Sequence, residues 1–343
     1  MTETDLNRTD PRGGAPDRAA RPARGDIPLR LNLTLAAALI LLNLAMLTAL
    51  PLWLLPRDPA WGWMLLLPVL TTPTLWALIH EAIHGTLLPH ARWNDRLGRA
   101  LSALFGAPFQ VLRLGHLLHH RWNRTALNRA EVTPAAPGLR QRAAYYARLC
   151  GGLYLVELAS AALALAPERF RKRLVAIAFG DEAPDGRSLL VQARKALLED
   201  PGRARLRTDG ALITVGLIAA ALAYGPHVWM LAAMILGRAF TVSVLDNVYH
   251  YGNPLDDRLA GWDLRLPRPL QAMMLNFNLH ATHHRRPALP WTALPDAFAA
   301  EGRAHAAPFL PAALRQFRGP LPEAALPRAA PTGRGPRPEA AVR

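Results

Sequence analysis

Cysteine is nearly absent: Cys150 is the only one in 343 residues. That excludes an internal disulfide framework, a cysteine-ligated zinc site and an iron–sulfur cluster held by this chain. Acidic residues are also scarce, 25 against 40 Lys and Arg, for a formal net charge of +15. Such an excess would suit nucleic acid, but no aromatic-interleaved basic groove and no recognition helix is present, so no nucleic-acid partner is expected. No GxGxxG follows a strand, which leaves no resident nicotinamide or flavin. Charge itself is missing from long stretches. Hydrophobic residues make up 51% of the chain and lie in blocks with basic residues between them, the pattern of an integral membrane protein.

Residues 1–30 are rich in Arg, Pro, Gly and Asp and are expected to form a disordered tail. Residues 31–55 carry no charge and are long enough to span a bilayer. No small-x-small cleavage site follows, so the run reads as a retained helix, not a signal peptide. Arg8, Arg12, Arg18, Arg21, Arg24 and Arg30 precede it and place the N-terminus in the cytoplasm. Residues 60–79 form a second uncharged run, with Trp61 and Trp63 at its outer end and Pro68 and Pro73 expected to kink it. Residues 97–112 are apolar but short and contain Arg99, and read as an interfacial or re-entrant segment. Residues 149–166 contain Glu157 and are assigned to the interface, or to a dip that enters and leaves on one face. Residues 211–224 and 228–245, separated by Gly225-Pro226-His227, read as a transmembrane hairpin. Turns are expected at Gly180-Asp181 and Pro201-Gly202. Residues 318–343 are rich in Pro, Ala and Arg and are expected to be a disordered tail.

Against this scarcity of local polarity stand the histidines. His116, His119 and His120 fall at i, i+3 and i+4 on one helical face, and His280, His283 and His284 repeat the pattern. His80 and His84 add a pair at i, i+4. Eight imidazoles exceed one coordination sphere, so two adjacent metal ions are expected, and all-nitrogen ligation suits Fe, Zn or Cu over Mg or Ca. His250 is a ninth candidate just past the hairpin. Glu81, Asp246 and Asn247 are candidates to orient ligands or hold a bound water. Arg121, Arg124, Arg285 and Arg286 flank the clusters and are candidates to bind an anionic head group, although ordinary cytoplasmic-face charge also explains them. His90, His227 and His305 stand apart from the site, and Trp122 and Trp291 read as interfacial anchors. The fold expected is all-α and integral to the membrane. It has four transmembrane helices, interfacial helices and a cytoplasmic histidine-rich di-metal cap, with residues 31–317 as one domain.

The stretches HEAIHGTL, RLGHLLHHRWNRT and NFNLHATHHRRPALPW resemble the three histidine boxes of the membrane fatty acid desaturase superfamily, nearest to bacterial fatty acid desaturases. The resemblance runs from about Leu31 to Leu294. It implies a di-iron centre that uses O2 to remove hydrogen from an unactivated methylene pair of an acyl lipid, acyl-CoA or acyl-carrier substrate. It also implies that His250 completes a nine-histidine set. Members of the acyl-CoA branch carry Asn four residues before that histidine, where this chain has Asp246, with Asn247 one later. Two electrons per turnover must come from a separate donor, a ferredoxin or a small haem protein with its reductase. The location implied is a bacterial inner membrane, with the site on its cytoplasmic side.

Three other readings remain. A hydroxylase or ketolase of the same superfamily, acting on a carotenoid, alkane or lipid, would use the same ligands. HEAIH also fits the HExxH signature of a zinc metalloprotease, with Asp256 as a distant third ligand, but that leaves both triplets and His250 without a role. A metal transporter would place its polar ligands mid-membrane rather than at helix exits.

Overall fold

A computed structural model describes residues 26–180 and 188–329. The expected N-terminal tail up to residue 25, Asp181 of one expected turn, and residues 330–343 of the expected C-terminal tail lie outside them.

The first helix, α1 (Leu29–Leu47), gives way at Thr48 to a wider turn at Leu50–Leu54, because Pro51 cannot donate into the ladder. After a 3-10 segment, Pro59–Leu65, the chain continues to α2 (Thr72–His84), with a break at Thr71 just before Pro73. Gly85, at φ 79°, ends α2 in the left-handed region that a side chain would disfavour. The Thr86 N–H closes the end onto the Glu81 carbonyl. Helices α3 (Ala91–Phe105) and α4 (Phe109–Trp122) meet at a 100° bend. Gly98 lets α3 approach closely, since a Cβ there would meet Ala82 and Phe109. Downstream come α5 (Leu139–Ala147), α6 (Leu153–Leu163), α7 (Gly202–Tyr224) and α8 (Val228–Val248), and then α9 (His280–Arg285) and α10 (Phe309–Arg315). Two short parallel pairings tie the loops together. Strand β1 (Val132–Thr133) pairs with β4 (Leu321–Pro322), and β2 (Leu264–Arg265) with β3 (Ala307–Pro308).

Among the described residues, three helical stretches are long and apolar enough to cross a membrane: Leu29–Leu47, Pro59–His84 and Gly202–Val248. A fourth is added if α3 and α4 count as one broken span. The third stretch doubles back at Gly225–His227. Asp209 near the start of α7 accepts from Arg99 on α3 (2.8 Å), whereas the Tyr224 hydroxyl at its far end donates to the Met46 carbonyl (2.7 Å). Helix α8 then returns, with Met230 against Gly62, Val69 against Gly237 and Ala239 against Gly151. With eleven residues, α6 measures roughly 16 Å, too short to cross. Exposed apolar side chains such as Leu41, Leu70, Val215, Leu222 and Leu236 line the outside of these helices. Trp53, Trp61, Trp63 and Trp229 are exposed at the end away from the histidines, where an interfacial aromatic belt belongs.

A charge sits inside this apolar frame. Arg238 on α8 is buried, donates to the carbonyls of Leu104 (2.9 Å) and Pro68 (3.4 Å), and bonds to Asn43 of α1. An intramembrane cation is tolerated when carbonyls receive it. The break beside Pro68 and the end of α3 place those carbonyls there.

The end of the chain differs from expectation. Residues 319–329 pack rather than leave the domain. The Tyr251 hydroxyl donates to the Gly319 carbonyl (2.8 Å), and Leu255 exchanges backbone bonds with Pro327 (2.8 Å) and Ala329 (2.9 Å). Composition alone misreads this segment, because its partners are backbone groups far away in sequence.

Candidate metal centre

The end of α2 carries His80 and His84; α4 carries His116, His119 and His120; α9 carries His280, His283 and His284; and His250 follows α8 by two residues. These nine side chains meet in two groups. His80, His84, His116, His120 and His283 form one, and His119, His250, His280 and His284 the other, with ligand atoms in each group within 4.8 Å of one another. Consecutive helical residues point about 100° apart, so each triplet divides in the same way. The i, i+4 members, His116 with His120 and His280 with His284, stay together. The middle histidine crosses to the other group. His120 and His284 stack across the divide, with ring centroids 4.4 Å apart.

The contacts are between Nε2 atoms. In the first group the separations are 3.0 Å for His80–His283, 3.0 Å for His283–His120, 3.0 Å for His120–His116 and 2.8 Å for His116–His84. In the second they are 3.1 Å for His119–His284, 3.1 Å for His284–His280 and 2.8 Å for His280–His250. An imidazole nitrogen has one in-plane site, either a proton or a lone pair. His116, His120, His280, His283 and His284 each face two neighbours through Nε2, so these contacts cannot all be hydrogen bonds. They match lone pairs aimed at a common point. For a metal–nitrogen bond of about 2.1 Å, neighbouring ligands at right angles lie about 3.0 Å apart, and tetrahedral ones about 3.4 Å. The observed spacing is that of ligands able to share one ion.

Burial sets the protonation state. It pulls His250, His280, His283 and His284 well below the ordinary imidazole pKa, and neighbouring imidazoles add to the effect. Neutral rings with free lone pairs result, as metal ligation requires.

Around the rings, four polar side chains fix positions that the histidine spacing does not reveal. His119 Nδ1 donates to Asn128 Oδ1 at 2.7 Å, which leaves its Nε2 for the site. Asn123, fully buried, donates to the carbonyls of Arg258 (3.1 Å) and Ala260 (2.7 Å), whose backbone faces His284 and His250. Asp263 accepts from the N–H (3.0 Å) and hydroxyl (3.1 Å) of Thr282, holding α9 in place. Asn278 donates to the Leu264 carbonyl at 2.8 Å and ties β2 to the start of α9.

Glu81 is buried beside His80, with 3.9 Å between Oε1 and Nδ1, while its Oε2 accepts from Thr86 (2.7 Å) and the Trp291 N–H (3.2 Å). Asp246 and Asn247 do not take the positions expected of them. Asp246 is exposed and paired with Arg148 at 2.8 Å. Asn247 donates to Tyr145 (3.2 Å) and Gln316 (2.9 Å), turned away from the rings. Of the arginines expected to meet a head group, Arg124 is excluded. It is wholly buried, paired with Glu131, and donates to the Asn253 (2.8 Å) and Pro254 (3.3 Å) carbonyls. Arg285 is held by Glu301 at 2.6 Å, and Arg286 reaches the same carboxylate at 3.3 Å. Arg121 lies over the Trp122 ring at 5.1 Å. Trp122 is buried in the core, and Trp291 donates to Asn32 at 2.9 Å; both are packing residues, not interfacial anchors. Asp256, the third ligand a zinc protease would need, lies outside both groups and pairs with Arg328.

The profile of the fatty acid desaturase family matches residues 59–315, a span that holds all nine histidines. The chain belongs to the fatty acid desaturase family. No curated protein matches it. As a desaturase-family member it is of oxidoreductase type, with helices able to span a membrane and histidine clusters able to bind metal.

Proposed function

We propose that the protein is an O2-dependent di-iron desaturase that introduces a double bond into a lipid acyl chain at the membrane. The convergence of nine imidazoles into adjacent groups of five and four, at the exits of apolar helices, carries this reading. Two irons, when bound, would supply the oxidising power needed to take hydrogen from an unactivated methylene pair. The chain's own contribution is to hold the nine rings and to exclude water from the site. The reaction balances as –CH2–CH2– plus O2, two protons and two electrons giving –CH=CH– and two waters.

No module in residues 31–317, or in the packed extension to 329, offers a source of those electrons. We therefore assign them to a separate donor, a ferredoxin or a small haem protein with its reductase. The basic face would draw an acidic donor at a rate that falls with salt. For topology we propose four spans, counting the α7–α8 hairpin as two. Both termini and the site then lie on the cytoplasmic side of a bacterial inner membrane.

Membranes holding the protein, given an acyl substrate, O2, NAD(P)H, a ferredoxin and its reductase, should yield lipids lighter by two mass units. A gain of sixteen would instead assign a hydroxylase of the same family, and unchanged lipids would reject both.

A further inference from the structure

Beside the third histidine triplet lies a second polar site. A cavity of about 430 Å3 is lined by Arg265, Arg303 and His305, with Phe298 and the Ala307–Pro308 strand as its apolar wall. Head-group and cofactor pockets are of this size. His305 stacks on Phe298 with ring centroids 4.7 Å apart, and its Nδ1 is buried with no hydrogen-bond partner. Arg265 joins no ion pair among the described residues. Among the described residues Arg303 reaches only Glu301, at 3.2 Å, and that carboxylate already receives Arg285 and Arg286. Three guanidiniums therefore share Glu301, Arg285 also reaches Asp263 at 3.5 Å, and Arg265 has neither, so four arginines stand against two carboxylates here. The excess of positive charge at a cavity, with an unsatisfied ring nitrogen, calls for an anion of about two charges.

Its position makes this useful. On one side, Asp263, next to β2, holds Thr282 of α9 and so connects the cavity wall to the ligand-bearing helix. On the other, α10 leaves the cavity with Leu310 and Leu314 exposed, and the nearby Phe317 stacks on Phe240 of α8 at 6.4 Å. The cavity wall thus runs directly into α10 on one side and is tied to α9 on the other.

We infer that Arg265, Arg303 and His305 bind the phosphate-bearing carrier of the acyl substrate, whether a phospholipid head group or a soluble pantetheine-type thioester. The inference rests on the acyl-chain reading above and specifies where the substrate is held by its polar end. The guanidiniums would take the phosphate oxygens, and His305 would donate from Nδ1.

Isothermal titration of the full-length, detergent-purified protein tests this without turnover. The probes are coenzyme A and dihexanoyl phosphatidylglycerol. One of them should bind in low salt and weaken as salt rises. Arg265→Ala combined with Arg303→Ala should weaken that probe by about tenfold or more, whereas Arg169→Ala, exposed on the separate helix Glu168–Phe179, should bind as the wild type does. Arg265→Ala alone, which loses no internal partner, should show a smaller loss of the same kind and keeps the test readable if the double variant misfolds. Coenzyme A as the tighter probe marks a soluble carrier, and the phospholipid as the tighter probe marks a membrane one. No binding of either probe, or equal binding by wild type and the arginine variants, overturns the inference. Binding that depends on these arginines in a protein that leaves lipids unchanged would keep this site and reject the desaturase reading instead.

Discussion

His119 Nδ1 and Asn128 Oδ1 lie 2.7 Å apart, and this single bond decides which nitrogen of His119 faces the second histidine group. Asn128→Ala should lower affinity for the metal at that group by about 10- to 100-fold, with the first group little affected. Iron titration of the apo-protein would then show one tight and one weak site. Two equally tight sites would show that Asn128 is dispensable.

Purified protein reconstituted with iron under anaerobic conditions should hold two ions per chain. His283→Ala should weaken the five-histidine site and His119→Ala the four-histidine one, although each residue comes from the triplet that mainly serves the other site. Spectroscopy of the single variants should therefore report loss of different ions. Identical spectra would rule out the two groups as separate sites.

Arg124 and Glu131 form an ion pair with almost no exposure, beside the loop that follows His250. Glu131→Ala leaves an uncompensated buried charge and should cost about 3–5 kcal/mol. Arg124→Met with Glu131→Leu should be much milder. Melting temperatures in detergent would check both; a Glu131→Ala protein as stable as wild type would contradict the account.

The pH dependence of the metal-free protein follows from four buried rings. His250, His280, His283 and His284 have pKa values in the folded state well below the unfolded value, which is about 6.5. Below that pH the unfolded chain binds more protons, so folding stability falls as pH drops. The melting temperature should be flat from about pH 8 to 7 and decline from about 6.5 downward. A flat profile to pH 5.5 would show the rings are accessible to protons in the fold.

Cysteine labelling, after Cys150 is replaced, should place positions 90 and 290 on the same side of the membrane. Labelling from opposite sides would refute both the proposed topology and a shared site.

The histidines could be read from sequence because i, i+3, i+4 spacing is a property of one helix, independent of what packs on it. Their convergence followed from chemistry. What could not be read depends on distant partners. Asn128 reaches His119 only because the chain doubles back at Arg124, which takes a positive φ of 64°. The face that Asp246 and Asn247 present is set by Arg148, Tyr145 and Gln316, on other elements. Arg124 looked like surface charge until Glu131, seven residues on, closed on it. Arg238 sits in a run that reads as apolar, and its acceptors come from three other helical segments.

The crossing of the middle histidines makes each ion a fastener. One ion would join α2, α4 and α9, and the other α4, the segment after α8, and α9. Four stretches scattered over some two hundred residues are then clasped twice, and energy released on loading becomes energy that resists opening. Iron supply would govern lifetime as well as catalysis. A cell short of the metal would make a chain whose last third is loosely attached and open to proteases, so scarcity would appear as disappearance of the protein before it appeared as slow turnover.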